Sequence, residues 1–78
     1  MNESEKLELL TIRLKDIQRK NDNQMIKRSV IDAKIEELDF VDDKQTVYEN
    51  LLKLGDFSEQ YIIDDYGGGS QWLLRRLP

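Results

Sequence analysis

From Met1 to Leu54 the chain contains neither glycine nor proline, the two residues that most readily stop a helix. One heptad frame runs through that stretch. With Leu7 at position a, the core positions fall on Leu7, Leu10, Leu14, Ile17, Asn21, Gln24, Arg28, Ile31, Ile35 and Leu38. Both ends of this seam are aliphatic and its middle is polar. That is the pattern of a coiled-coil helix whose central layers set register and partner at a cost in stability. The sequence therefore predicts an all-α fold. One long coiled-coil-forming helix runs over about residues 4–39, followed by two or three short helices that pack back on it.

Asn2 and Ser4 are good helix caps, and Glu5 stands three residues after Asn2 as a capping box requires. The weak point is Asn21-Asp22-Asn23, three poor helix formers that favour turns. A helical hairpin broken there is the alternative. The identical heptad phase on both sides of the triplet favours the continuous helix.

A second helix is expected from Asp42 or Asp43 to Leu54, with Val47, Tyr48, Leu51, Leu52 and Leu54 on its apolar face and Gly55 as its stop. Ser58 then caps a short helix to about Tyr66, with Phe57 packing on Ile62. Gly67-Gly68-Gly69-Ser70 has linker composition. Domain organisation follows: a single small helical domain over 1–66, a flexible linker over 67–70 and a peptide-like tail over 71–78. The tail, capped by Ser70, is read as one or two further helical turns.

The flanks of the seam bear on its partner. Position g is Lys6, Arg13, Lys20, Lys27 and Lys34, basic in every heptad. The core is nearly palindromic: run antiparallel, Leu7 opposes Leu38, Leu10 opposes Ile35, Leu14 opposes Ile31, and Asn21 opposes Gln24. Only Ile17 against Arg28 mismatches. Exposed ion pairs are worth at most about 1 kcal/mol and a misplaced core layer several, so an antiparallel homodimer is expected over a parallel one. A heteromeric coiled coil with an acid-flanked partner helix satisfies both core and flanks. A second stripe (Leu9, Ile12, Ile26, Val30, Ala33, Phe40) marks a face that the chain's own residues 43–66 are expected to cover.

Charge excludes some functions. The net charge is −4, spread as +2 over residues 1–35, −8 over 36–66 and +2 over 67–78. The acidic middle repels phosphates, so no nucleic acid is expected as a partner. No apolar run approaches the roughly 18 residues of a membrane span, so no membrane is expected either. The chain has no cysteine and no histidine, which removes the usual zinc sites, disulfide frameworks and histidine bases. With an acidic Met-Asn-Glu-Ser-Glu start rather than a basic flank and apolar run, a cytoplasmic location is expected. The serines have no histidine to activate them. Adjacent carboxylates such as Asp42-Asp43 and Asp64-Asp65 diverge by about 100° on a helix and hold no preorganised cation.

No catalytic residue, metal or cofactor is therefore expected. The expected function is a non-enzymatic interaction, assembly or adaptor protein acting on a protein partner. It would use the helix at 7–38 and a tail contact through Trp72, Leu73, Arg76 and Leu77, since Trp and Arg are common interface anchors. The alternative is a small acidic inhibitor or regulator, of the kind phages and mobile elements encode, acting through residues 36–66.

Overall fold

The computed structural model describes residues 1–21, 25–64 and 69–76. Among them the chain is mostly helical. Helix α1 spans Glu3–Lys20, and the two-residue strand β1 (Ile26–Lys27) leads directly into α2, Arg28–Glu37. Helix α3 spans Lys44–Lys53, followed by strands β2 (Phe57–Asp64) and β3 (Gly69–Arg76).

Local chemistry sets the helix ends. Asn2 caps α1, its Oδ1 accepting the Glu5 N–H at 2.8 Å. Glu3 and Glu5 occupy the first turn and Arg19 and Lys20 the last, complementing the helix dipole. Helix α1 closes at Asn21, whose N–H bonds the Ile17 and Gln18 carbonyls. The expected continuous helix is thus two helices. The residues between them, 21–27, number one heptad, so the hydrophobic phase reads through a break that it does not signal. Asp39 ends the second helix region at φ +52°, a left-handed conformation that aspartate tolerates better than most residues. Asp43 caps α3 through the Thr46 N–H at 2.7 Å. Gly55 at φ +82° then redirects the chain, the stop expected of it.

Beyond Gly55 the structure departs from the helical reading. Residues 57–64 form strand β2 rather than a Ser58-capped helix, and 69–76 form β3 rather than helical turns. The two pair antiparallel without interruption from Phe57↔Arg76 to Asp64↔Gly69. Tyr61-Ile62-Ile63 is aromatic and β-branched, which suits a pleated strand. The glycine-rich run has linker composition, but its Gly69 and Ser70 open β3. Strand β1 adds to the far side of β3 at Ile26↔Leu74 and Lys27↔Leu73, giving the order β1-β3-β2.

α2 folds back on α1. The Lys6 Nζ donates to the Asp39 carbonyl at 2.7 Å, the Val41 N–H donates to the Glu3 carboxylate at 3.0 Å, and Arg13 pairs with Glu37 at 3.6 Å. Between the helices and the sheet lies one core: Leu10, Leu14, Ile26, Ile31, Ile35, Val47, Tyr48, Leu51 and Phe57, bordered by Leu7, Ile17, Leu38, Phe40 and Leu52. Helix α3 supplies Val47, Tyr48 and Leu51 to the seam itself. Of the stripe expected to receive residues 43–66, Ile26 is buried in this core and Phe40 borders it, while Ile12, Val30 and Ala33 are exposed. Among the described residues no helix is long and apolar enough to cross a membrane.

Candidate functional site

The predicted interaction seam is distributed through the interior. Leu10, Leu14, Ile31 and Ile35 are buried, and Leu7, Ile17 and Leu38 pack at the core border. These layers meet within one chain. Asn21 is exposed at the end of α1, and Gln24 lies outside the described residues. Arg28 is accommodated at its heptad position by reaching over Tyr48, its guanidinium carbon 3.7 Å from the ring centroid. Its Nε donates to Asp32 at 3.2 Å and its Nη2 to Gln45 at 3.3 Å. In the tail, Trp72, Leu73 and Arg76 sit in β3 opposite Tyr61, Gln60 and Phe57. Leu77 lies outside the described residues.

Among the described residues the outer face of α1 holds a groove. Ser4, Leu7, Glu8, Thr11, Ile12 and Lys15 recur at helical spacing and so form one stripe. With Leu54 and Asp56 they line a groove of about 410 Å³. Ile12 is 57% exposed and Leu54 51% exposed, two large aliphatic side chains on one groove. The sequence places Leu54 on the apolar face of α3. It falls just beyond the last turn, where Gly55 turns the chain and leaves it at the surface. Thr11 is buried beside the groove, its Oγ1 bonded to the Leu7 carbonyl at 3.0 Å.

The groove has a charged rim. Lys15 Nζ meets Asp56 at 3.0 Å, tying the α3–β2 connection to α1. Ile12 and Lys15 also line a second concavity with Arg13, Asp16 and Arg19, so the surface continues toward the C-terminal end of α1. In sequence that end carries Arg13, Lys15, Arg19 and Lys20 against one carboxylate, Asp16, while Arg13 also pairs with Glu37 and Lys15 with Asp56. Lys20 and then Arg19 hold the Asp16 carboxyl below its ordinary range. The rim is therefore mixed in charge where Lys15 and Asp56 pair, with its excess of cations toward the C-terminal end of α1 and Glu8 on the N-terminal side.

Another exposed apolar residue stands apart from the groove. Val41 is 86% exposed in the α2–α3 connection, among exposed Asp39, Asp42 and Asp43. Glu3 accepts its N–H, and that bond is the main reason the Glu3 carboxyl lies below its ordinary value. Among the described residues no group of three or more carboxylates gathers as a metal site. The Ile12–Leu54 pairing escaped the heptad reading because both residues lie off its core positions. Ile12 was visible as part of the second stripe, but nothing in the linear pattern joined it to Leu54. Comparison with protein-family models, with curated proteins and with solved structures finds no match to this chain.

Proposed function

We propose that this chain is a non-enzymatic, cytoplasmic protein-interaction module, an adaptor or assembly factor that binds an amphipathic helix of a partner along the outer face of α1. The observation that carries this reading is the groove holding Ile12 and Leu54 beside a rim whose cations are in excess toward the C-terminal end of α1. Covering the exposed parts of both side chains would contribute about 2 kcal/mol. Such a groove suits an apolar helical stripe with anchors at i, i+3 or i+4 and i+7. Arg13, Lys15, Arg19 and Lys20 favour a partner helix whose flank is acidic, and they disfavour a second copy of α1, which would set cations against cations. The partner is thus heteromeric in this reading, and a homodimer is the competing outcome.

Val41 supports a second reading, the small acidic inhibitor acting through residues 36–66. An aliphatic knob ringed by aspartates would plug an apolar pocket with a basic margin. Single-residue baits separate the two. Tagged wild-type chain, Ile12→Glu and Val41→Lys, each checked for unchanged circular dichroism, would be incubated with extract of the cells that encode the protein. The groove reading expects one partner held by wild type and Val41→Lys, lost from Ile12→Glu, and released by roughly 1 M salt. A partner lost from Val41→Lys and kept by Ile12→Glu moves the interface to the acidic loop. Self-capture lost on Ile12→Glu makes the partner a second copy.

A further inference from the structure

Lys15 lies where the two concavities of α1 meet, since it lines both together with Ile12. Its ammonium is 3.0 Å from Asp56, which lines the first. Asp56 is fixed there from both sides. Gly55 before it turns the chain at φ +82°, and Phe57 after it is buried in the core. The carboxylate that meets Lys15 thus comes from the α3–β2 connection and not from α1 itself.

Two properties make this pair exchangeable. Both side chains stay about one-third exposed, and an ion pair in that setting is weak enough for a competing carboxylate to replace one member. The cations around it are also in excess. Among the described residues Arg13 and Lys34 share Glu37, and Arg19 and Lys20 share Asp16. With Lys15 on Asp56, five cations meet three carboxylates. A carboxylate brought to this end of α1 by a partner enters an unmatched positive field, whereas an ammonium is repelled by it.

We propose that Asp56 is a built-in competitor for Lys15, displaced when an amphipathic helix of a partner protein lays a glutamate or aspartate beside its apolar stripe in the groove. This inference rests on the groove reading above. In the chain alone, Asp56 holds the Lys15 ammonium against the α3–β2 connection. A helix with a carboxylate in reach takes Lys15 over and gains an ion pair on binding. An uncharged amphipathic helix covers Ile12 and Leu54 and leaves the Lys15–Asp56 pair as it is. The pair thereby sorts occupants by charge, a discrimination that the apolar contacts do not supply. Asp56 is a positioning residue: it acts through Lys15 and needs no contact with the partner.

The probe is a fluorescent, hydrocarbon-stapled helix of about four turns, the length of α1 from Ser4 to Arg19. It carries leucines at i, i+4 and i+7 with glutamates flanking that stripe, and a twin with glutamines in their place is the control. Both are titrated by anisotropy into the full chain and its variants, each first checked for unchanged circular dichroism. Asp56→Asn should tighten the glutamate probe about threefold and leave the glutamine twin within about 1.5-fold. A merely structural role for Asp56 would instead weaken both. Asp56→Glu, which keeps the competitor, should bind both probes as wild type does. In a Lys15→Gln background Asp56→Asn should change neither probe, which separates competition for Lys15 from plain repulsion by Asp56. If the glutamate probe binds and Ile12→Glu abolishes binding, yet Asp56→Asn does not tighten it or tightens it equally without Lys15, the competitor is overturned and the groove reading stands. If neither probe binds, or Ile12→Glu binds both as wild type does, the groove reading falls and this proposal with it.

Discussion

Arg28 and Tyr48 together show how one residue out of pattern is absorbed. A guanidinium at a core heptad position is costly if it is buried, and Arg28 avoids that by laying its stem and charge over the ring while Asp32 and Gln45 take its N–H groups. Tyr48 is left 1% exposed, and its hydroxyl has no hydrogen-bond partner among the described residues. A buried donor without an acceptor costs stability, so Tyr48→Phe should stabilise the fold by about 1 kcal/mol. The pH dependence follows in sign. Burial first, and the nearby Glu59 second, push the phenol up to about 12, while the unfolded chain ionises near its ordinary 10. The folded state therefore binds the proton more tightly. Its contribution is whole below pH 10 and is lost as pH climbs toward 12. Urea unfolding of wild type and Tyr48→Phe at about pH 8 and about pH 11 checks both points. A Phe variant less stable at the lower pH would mean that the hydroxyl has found a partner.

At the scale of elements, the caps govern where helices begin. Asp43 starts α3 by accepting the Thr46 N–H, and that bond is the main reason its carboxyl lies below the ordinary 3.8. A depressed carboxyl stabilises the fold above its unfolded value and loses that contribution as pH falls through the folded one. Asp43→Ala should lower the melting temperature at neutral pH and flatten the acid side of the stability profile, measured by thermal melts from neutral to acid pH. Asp43→Asn should keep most of the cap and lose only the pH dependence. If Asn and Ala variants melt alike, the cap is not what holds this end. Features of this kind were legible in the sequence because they are local: Asn2, Asp43 and Gly55 each act within a few residues. The break after Lys20 was visible as Asn21-Asp22-Asn23 but masked by spacing, since a one-heptad interruption preserves the phase. Strands β2 and β3 depend on pairing between segments, and Ser58 with Phe57 offered an equally good local start for a helix. Seven of the seam residues share the interior of one chain, an arrangement that a heptad pattern alone does not distinguish from packing between chains. The groove was least legible, because Ile12 and Leu54 come to line one groove only once α3 has docked.

At the scale of the whole molecule, the palindromic seam has a simple consequence. A row of aliphatic layers that reads the same in both directions can close on a second copy or, if the chain turns at its polar midpoint, on itself. This chain turns, and the layers that would have opposed each other across a dimer share one interior with α3 and the sheet. That arrangement makes two neighbouring residues of α1 opposite in character. Leu14 is fully buried, and Leu14→Ala should cost about 2–5 kcal/mol through lost burial and the cavity left behind. For a domain of this size that is a large share of the total stability. Ile12→Ala, two residues away on the open face, should change stability by less than about 0.5 kcal/mol. Concentration supplies the decisive control. If the core is intramolecular, the urea midpoints of wild type and both variants are unchanged over about a hundredfold range of protein concentration. A seam that served a dimer instead would give midpoints that rise with concentration. In that case Leu14→Ala would also shift the sedimenting species from dimer to monomer, and the fold-back of α2 onto α1 would have to be exchanged between two chains.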